Sequence, residues 1–378
     1  MRAQRNTVSC IKNIMNAKVL FWVPYPAEGA SNRYRVGQYL PYLKKAGIDF
    51  ALHPFWSCRA YRILYRPGLF LHKLFYFILG TFSRIKDVLI IKKYDIVFIH
   101  RESYPVGGAF FEKILSLLNK QFMFDFDDAI FLPAISQSNA FIEGFKRPEK
   151  IAGIVRMSSH VIAGNNYLAD FAGRHNPAVS VIPTVLDTDT YYPLAKKQNG
   201  RVVIGWIGSA TTLSFLDMMR GVFDALLRKY SNITIKIVGG EFFMNEFKHV
   251  ISKPWSMEEE LADLRSFTIG IMPMPDNYWT MGKCGFKAIS YMSMGIPSVC
   301  SAVGVNKEII SDGLNGFLAS DAAEWINKLS LLISDSGLRE AMGIAARRTI
   351  EDKYSLKVGV PRFLEIVKKV YAEEGERH

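Results

Sequence analysis

The chain has 378 residues, 49 % of them apolar, and a formal charge of +12. That length and apolar share suffice for two domains with substantial cores, which excludes a disordered or fibrous chain. No apolar run reaches the roughly 18–20 residues of a membrane-spanning helix, because the longest candidate, Leu69–Gly80, is interrupted by His72 and Lys73.

The charge calls for an anionic partner: nucleic acid, anionic lipid or a phosphorylated substrate. The basic residues show no recognised nucleic-acid motif, so no nucleic-acid partner is expected. Residues 1–16 form a basic tail without the apolar core or cleavage-like site of a secretory signal. Cysteines at 10, 58, 284 and 300 lack metal-ligand spacing and read as free thiols in a reducing cytoplasm.

Strand and helix signals alternate from residue 18 onward. Lys18–Val23 is a short apolar strand, the loop Pro24–Asn32 holds Gly29 and Ser31, and a helix follows with Val36, Tyr39, Leu40 and Leu43 at helical spacing. Ile48–Leu52 is the next strand. Residues 59–93 then set Arg59, Arg62, Arg66, Lys73, Arg84, Lys86, Lys92 and Lys93 against a single acid, Asp87, among many aromatic and aliphatic side chains. Two readings stay open for this segment. It can lie in the headgroup layer of an anionic membrane as a peripheral contact, or form a helix pair packed on a sheet with basic outer faces.

Strand Ile96–His100, helix Gly108–Leu118 and strand Gln121–Asp125 come next, then an irregular stretch to about Arg147. Helix Glu149–Ser158, strand His160–Ala163, helix Asn166–His175 and strand Val179–Pro183 complete a first half. A polar seam at Asp187–Asn199 reads as a linker, and the alternation restarts: strand Arg201–Ile207, turn Gly208–Thr212, helix Leu213–Lys229 and strand Thr234–Val238 ending in Gly239 and Gly240. His249–Ser252, helix Met257–Arg265, strand Thr268–Met272, helices Asp321–Ile333 and Gly337–Ile350, and a last helix about Val360–Tyr371 follow. Parallel strands joined by helices make an open, doubly wound sheet, here twice over. Expected domains are a tail 1–16, an N-terminal Rossmann-like domain 17–190, a second one 191–355, and a C-terminal helix 356–378 that packs back on the first.

Between strand Thr268–Met272 and helix Asp321–Ile333 lies a phosphate-type segment, residues 279–308: a Gly/Lys-rich turn, a helix from about Phe286 to Met294, a Gly-Ile-Pro stop, an apolar strand and a second glycine turn. Backbone N–H groups at a helix start bind phosphate, and Lys283 and Lys287 add charge. From this segment alone an ordinary αβ unit with two solvated lysines is the competing reading. Phe124-Asp-Phe-Asp-Asp128 likewise reads as a polar lining, a metal-binding acid cluster or solvated loop acids.

The order of these parts resembles the retaining glycosyltransferases of family 4, with GT-B architecture, from about Lys18 to Tyr371. The likeness rests on the glycine loop after the first strand, His100, the seam Val181–Asp187, Ile237-Val-Gly-Gly240, Gly270–Pro273, Lys287–Pro297, and Gly304–Glu308 with Asp312–Gly316. It implies an α/β fold of two Rossmann-like domains whose parallel sheets face a central cleft. It also implies transfer of a sugar, with retention, from a nucleotide diphosphate sugar to an oligosaccharide or lipid-linked acceptor, in cell-envelope polysaccharide assembly. The nucleotide sugar is substrate; no cofactor or metal is implied. The implied location is the cytoplasm, at the inner face of the plasma membrane.

Residue by residue, the resemblance puts the diphosphate near Gly282, Lys283, Gly285 and Lys287, with Gly208, Ser209 and Thr211 as a second helix start. Trp255 and Ser256 would meet the base, and His100 would stand beside the reacting sugar carbon. Arg101 and Glu102 follow it at the cleft edge; Gly29, Ser31, Arg33 and Arg35 lie toward diphosphate or acceptor, and Asp125, Asp127 and Asp128 line the acceptor side. One departure stands out. The family's paired glutamates are replaced by Gly282 and Ser290, which leaves sugar recognition to other groups. That motivates an alternative, a catalytically degenerate nucleotide-sugar-binding partner subunit. A sugar-nucleotide epimerase shares the architecture but needs an acid/base set that the second half lacks.

Overall fold

A computed structural model describes residues 17–64, 66, 68–133, 147–194, 200–244 and 246–375. The tail 1–16 with Cys10, part of the irregular stretch (134–146) and part of the polar seam (195–199) lie outside them. The chain divides into two units. One comprises the residues up to Thr184 together with those from Gly359 onward, and the other is Val185–Val358.

In the first unit, β1 (Lys18–Val23), β2 (Asp49–Pro54), β3 (Ile96–His100), β4 (Phe122–Phe126), β5 (His160–Ala163) and β6 (Val179–Val181) form a parallel sheet in the order β2-β1-β3-β4-β5-β6. β3 and β4 are buried along their whole length, as strands covered on both faces must be, and so read as near-continuous apolar runs. Their register sets the two polar exceptions side by side, His100 opposite Asp125.

The helix expected after the first loop is divided. α1 (Ala30–Arg35) gives way to a 3-10 turn at Gly37–Tyr39 before α2 (Leu40–Lys45), because Pro41 lacks an N–H and its ring crowds the carbonyl of Gly37, four residues back. Phe363, from the chain's last helix, packs on Tyr39 at 4.7 Å and Phe98 at 5.5 Å between ring centroids.

The basic segment forms α3 (Cys58–Leu64) and α4 (Phe70–Leu89), and α4 is inverted relative to an ordinary surface helix. Its buried residues are Gly80, Arg84 and Asp87. Gly80 sits so close to Phe55 that a Cβ there would lie 2.8 Å from the Phe55 carbonyl oxygen. Arg84 donates to Asp87 Oδ2 (3.0 Å) and to the carbonyls of Ser103 and Val23, while His53 Nδ1 lies 2.6 Å from Asp87 Oδ1. Burial brings the Arg84 guanidinium down to about 10 against the pull of Asp87. The outward side is apolar: Leu71 is 75 % exposed, Phe75 and Phe82 57 % each. Basic side chains lie outward as well, Arg59, Arg62 and Arg66 before α4 and Lys86 within it, so the helix pair exposes apolar and basic groups together, while the charge that lies inward is paired there. α5 (Phe110–Leu117) packs beside α4, and α6 (Lys150–Met157) and α7 (Asn166–Gly173) complete the unit's described helices up to Thr184.

The second unit repeats the plan with β7 (Val202–Ile207), β8 (Ile233–Val238), β9 (Val250–Lys253), β10 (Ile269–Met272), β11 (Ser298–Ser301) and β12 (Phe317–Ala319) in the parallel order β12-β11-β10-β7-β8-β9. The single helix expected at 213–229 is α8 (Ala210–Leu213), a 3-10 stretch (Ser214–Met219) and α9 (Arg220–Lys229). Its other helices are α10 (Glu260–Ser266), α11 (Tyr278–Met281), α12 (Phe286–Ser293), α13 (Asn306–Ile309), α14 (Ala322–Ser334) and α15 (Ser336–Lys353). α16 (Leu356–Gly375) starts in this unit and ends in the first. The polar seam is less a linker than expected. Arg347 donates to the carbonyls of Thr188, Tyr191 and Ser293, and Leu186 bridges to Ser355, so the division falls at Thr184/Val185 rather than near residue 190.

Among the described residues no helix is long and apolar enough to cross a membrane. Among the described cysteines, Cys58 is exposed and Cys284 and Cys300 are buried.

Candidate active site

Ligands of doubly wound sheets bind at the carboxyl ends of the strands, and most of the residues singled out above gather at those edges. At the first edge the loop after β1 closes tightly. Gly29 N donates to Pro26 O (2.9 Å), and a Cβ on Gly29 would lie 2.6 Å from Tyr25 Cβ. α1 then carries Arg35 inward, 4 % exposed. Its guanidinium is occupied: it ion-pairs with Asp125 and donates to Ile182 O at 2.7 Å. Arg33 lies over the Tyr34 ring at 4.7 Å, and Ser31 Oγ is enclosed without a hydrogen-bond partner among the described residues.

Asp125 holds a second partner. His100 Nδ1 is 2.6 Å from its Oδ2. An ionised carboxylate can only accept, so Nδ1 is the donor and Nε2 is left as the ring's open nitrogen. His100 is fully buried, and Nε2 has no hydrogen-bond partner among the described residues; Asp127 Oδ1 stands 4.0 Å away. Arg101 adopts the left-handed region (φ 61°), which turns its side chain to Asp127 (Nε to Oδ1 2.7 Å) with Asp128 at 3.9 Å. Glu102 pairs with Lys150 at 2.9 Å.

Burial alone would raise both Asp125 and Asp127. The Arg35 guanidinium with the His100 hydrogen bond, and the Arg101 guanidinium with His100, more than offset it and hold both carboxyls below the usual carboxylate range. Arg35 and Arg101 are raised in turn, their acid partners overcoming the opposing effect of burial. The edge is thus an alternation, Arg35, Asp125, His100, Asp127, Arg101, with one imidazole nitrogen left over. Among the described residues no group of three or more His, Cys, Asp or Glu is arranged to hold a metal ion.

The second edge is built from glycines, hydroxyls and lysines. Gly208, after β7, donates its N–H to Val238 O (3.0 Å), and a Cβ on Gly239 (φ 115°) would fall 1.8 Å from Gly208 O. Two loops can approach that closely only without side chains. A Cβ on Gly208 itself would meet the Trp206 ring and Lys287 Cε at 2.5–2.6 Å. Ser209 Oγ bonds Thr211 Oγ1 (2.8 Å), and Thr212 Oγ1 accepts from Lys287 Nζ (3.2 Å), which lies 5.4 Å from the Trp206 ring centroid. Gly208, Ser209, Thr211 and Lys287 therefore form one corner.

Gly285 begins α12 at φ 67°, where a Cβ would also strike Ile309. Lys283 Nζ sits 3.6 Å above the Trp279 ring, and Gly282 ends α11 with its N–H on Trp279 O. Tyr291, overlooked in the sequence, ties α12 to two strands: its hydroxyl accepts from Ile207 N (3.0 Å) and donates to Ile271 O (3.3 Å). Its spacing from Lys287, one helical turn, was the available signal.

Ser290 is not presented at this edge as a donor. It is 2 % exposed and its hydroxyl donates to Phe286 O at 2.8 Å, inside its own helix. Trp255 is held on the loop after β9 by Glu260 (Nε1 to Oε2 2.8 Å), which also takes the Tyr191 hydroxyl, and Ser256 stands with Glu259. Thr212, Trp206 and Glu260 had no role in the sequence reading, since each takes its meaning from a partner distant in the chain.

Comparison with known proteins follows the same division. Residues 201–335 match the family described as Glycosyl transferases group 1. Over 289 residues the chain is 20 % identical to spore coat protein SA of Bacillus subtilis strain 168, covering 68 % of this chain and 72 % of that one. The solved glycosyltransferase of Rickettsia africae ESF-5 superposes with a TM-score of 0.68 at 16 % identity, over 94 % of this chain and 98 % of that one. HepE of Anabaena, in complex with UDP and glucose, superposes with a TM-score of 0.64 at 15 % identity, over 93 % and 100 %. At such identities the likeness is one of fold: two Rossmann-like units with parallel sheets, the GT-B type.

Proposed function

We propose that the protein is a glycosyltransferase that moves a sugar, with retention, from a nucleotide diphosphate sugar to a lipid-linked or oligosaccharide acceptor in cell-envelope polysaccharide assembly. The observation that carries this reading is the corner of Gly208, Gly239, Thr212 and Lys287, which falls within the residues that match the glycosyltransferase family. Glycine backbones that approach closely, a helix start and two lysines brought to the same edge suit a diphosphate. HepE, of the same fold, was solved with UDP and glucose, which supports a uridine nucleotide as the first probe.

In this mechanism the bond from the sugar carbon to the phosphate oxygen breaks as the acceptor hydroxyl bonds that carbon on the same face. The hydroxyl proton passes to the departing phosphate. Lys283, Lys287 and the N–H groups about Gly208 and Gly285 stabilise the charge on the leaving diphosphate, so positioning and electrostatics supply the catalysis. His100, held by Asp125, offers Nε2 as hydrogen-bond acceptor to a sugar hydroxyl. Arg101 with Asp127 and Asp128 would line the acceptor side.

A second reading, a nucleotide-sugar-binding partner subunit without transferase activity, draws support from Ser290, whose hydroxyl is spent on Phe286 O where the family carries a carboxylate. Thermal-shift titration with UDP, GDP and their sugars tests the donor site; no stabilisation by any nucleotide would sink it. Incubation with labelled nucleotide sugars and a membrane lipid extract separates the two readings. Transfer selects the enzyme, and binding without transfer or hydrolysis selects the partner subunit.

A further inference from the structure

The outer side of α4 presents Leu71, Leu74, Phe75, Ile78, Leu79 and Phe82 to solvent, between 42 % and 75 % exposed. These positions recur at three- and four-residue intervals, so they form one stripe along a 20-residue helix, about 30 Å long. Arg59, Arg62 and Arg66 are exposed at one end of the segment and Lys86, Lys92 and Lys93 toward the other. Its one acid, Asp87, is 2 % exposed and bound to Arg84 and His53. The exposed surface of residues 59–93 is therefore apolar along its length and cationic at both ends, with no exposed carboxylate of its own.

We propose that this face docks on an anionic lipid bilayer, α4 lying in the plane of the surface with its stripe among the acyl-chain boundaries and the two basic ends on headgroup phosphates. Surface helices that bind membranes combine such an apolar side with flanking cations. A second copy of the chain is disfavoured by the same charges. Whether two α4 helices paired parallel or antiparallel, exposed cations of one segment would meet those of the other, and neither segment carries an exposed carboxylate to pair them. The polar pair Arg84–Asp87, turned inward, anchors the helix to the first unit and leaves the apolar side for the bilayer. The inference stands apart from the sugar-transfer reading, since neither sheet edge enters it.

The test is flotation of the full chain with vesicles of phosphatidylglycerol and, separately, of phosphatidylcholine. The wild type should float with phosphatidylglycerol and not with phosphatidylcholine, and the bound fraction should decline with salt. The double variant F75S/F82S should bind phosphatidylglycerol ~10-fold more weakly or worse. The triple variant R62Q/K86Q/K92Q should lose the preference for anionic lipid. All substituted side chains are exposed, and an unchanged melting temperature establishes that each variant is folded. Failure of the wild type to float with phosphatidylglycerol would overturn the proposal, as would binding untouched by F75S/F82S. Sedimentation equilibrium showing a dimer abolished by F75S/F82S, without lipid binding, would assign the face to a second copy instead.

Discussion

At the carboxyl edge of the first sheet opposite charges are packed against each other, Arg35 and Arg101 against Asp125 and Asp127 with His100 between. At the second edge Lys283 rests on an indole ring and Lys287 on a hydroxyl and another indole. The first edge pairs its own charges, an arrangement that favours a fixed geometry. The second brings two lysines, a hydroxyl, two indoles and closely approaching glycine backbone to one edge, groups of the kind that suit a phosphate. On the proposed function, the first edge orients and the second receives.

The sharpest way to break this contrast is at Asp125. Replacing it by Asn leaves the buried Arg35 without its carboxylate, so urea denaturation should record a loss of about 3–5 kcal/mol. A loss below ~1 kcal/mol, the worth of an exposed pair, would mean the first edge is not the preassembled one. Lys287→Ala should weaken UDP binding by ~1.5–3 kcal/mol in a calorimetric titration, with stability little altered; unchanged affinity would move the receiving site elsewhere. Gly239→Ala should cost about 1–3 kcal/mol of stability from its left-handed backbone and suppress the UDP-induced thermal shift, because the Gly208 loop must retreat from a new Cβ.

The smallest effect expected is in pH dependence. Asp125 and Asp127 are depressed when folded, so between the ordinary carboxylate range and their lowered values the unfolded chain binds protons that the folded chain refuses. Stability from these groups is full above about pH 4 and is lost as the pH falls below it. Asp125→Asn should remove part of that acid decline, while Lys287→Ala leaves it intact.

β1 and β3 have the bounds that their unbroken apolar runs announce, Lys18–Val23 and Ile96–His100, since a strand covered on both faces has nowhere to place a polar residue except its end. β12, only Phe317–Ala319, is too short to leave a period. His100 and Asp125 were each legible as edge residues, yet their pairing was not, because strand register joins positions 25 apart and Arg35 arrives from 90 residues away. For α4 the pattern shows that one side is apolar but not which way it faces. That is decided by Gly80 against Phe55 and by the inward pair Arg84–Asp87, contacts that no local pattern encodes. Gly208 and Gly239 were visible as turn glycines; that each exists for the other is a tertiary fact.

α16 has a consequence for the order of events on the ribosome. The second unit is one uninterrupted stretch, Val185–Val358, and every residue it needs has been made once Val358 is added. The first unit began 184 residues of chain earlier but lacks the helix whose Phe363 covers Tyr39 and Phe98 until the synthesis of α16. The part made first is thus finished last, its apolar ring pair waiting uncovered while a whole domain is built, which is the interval in which a nascent chain is most exposed to aggregation.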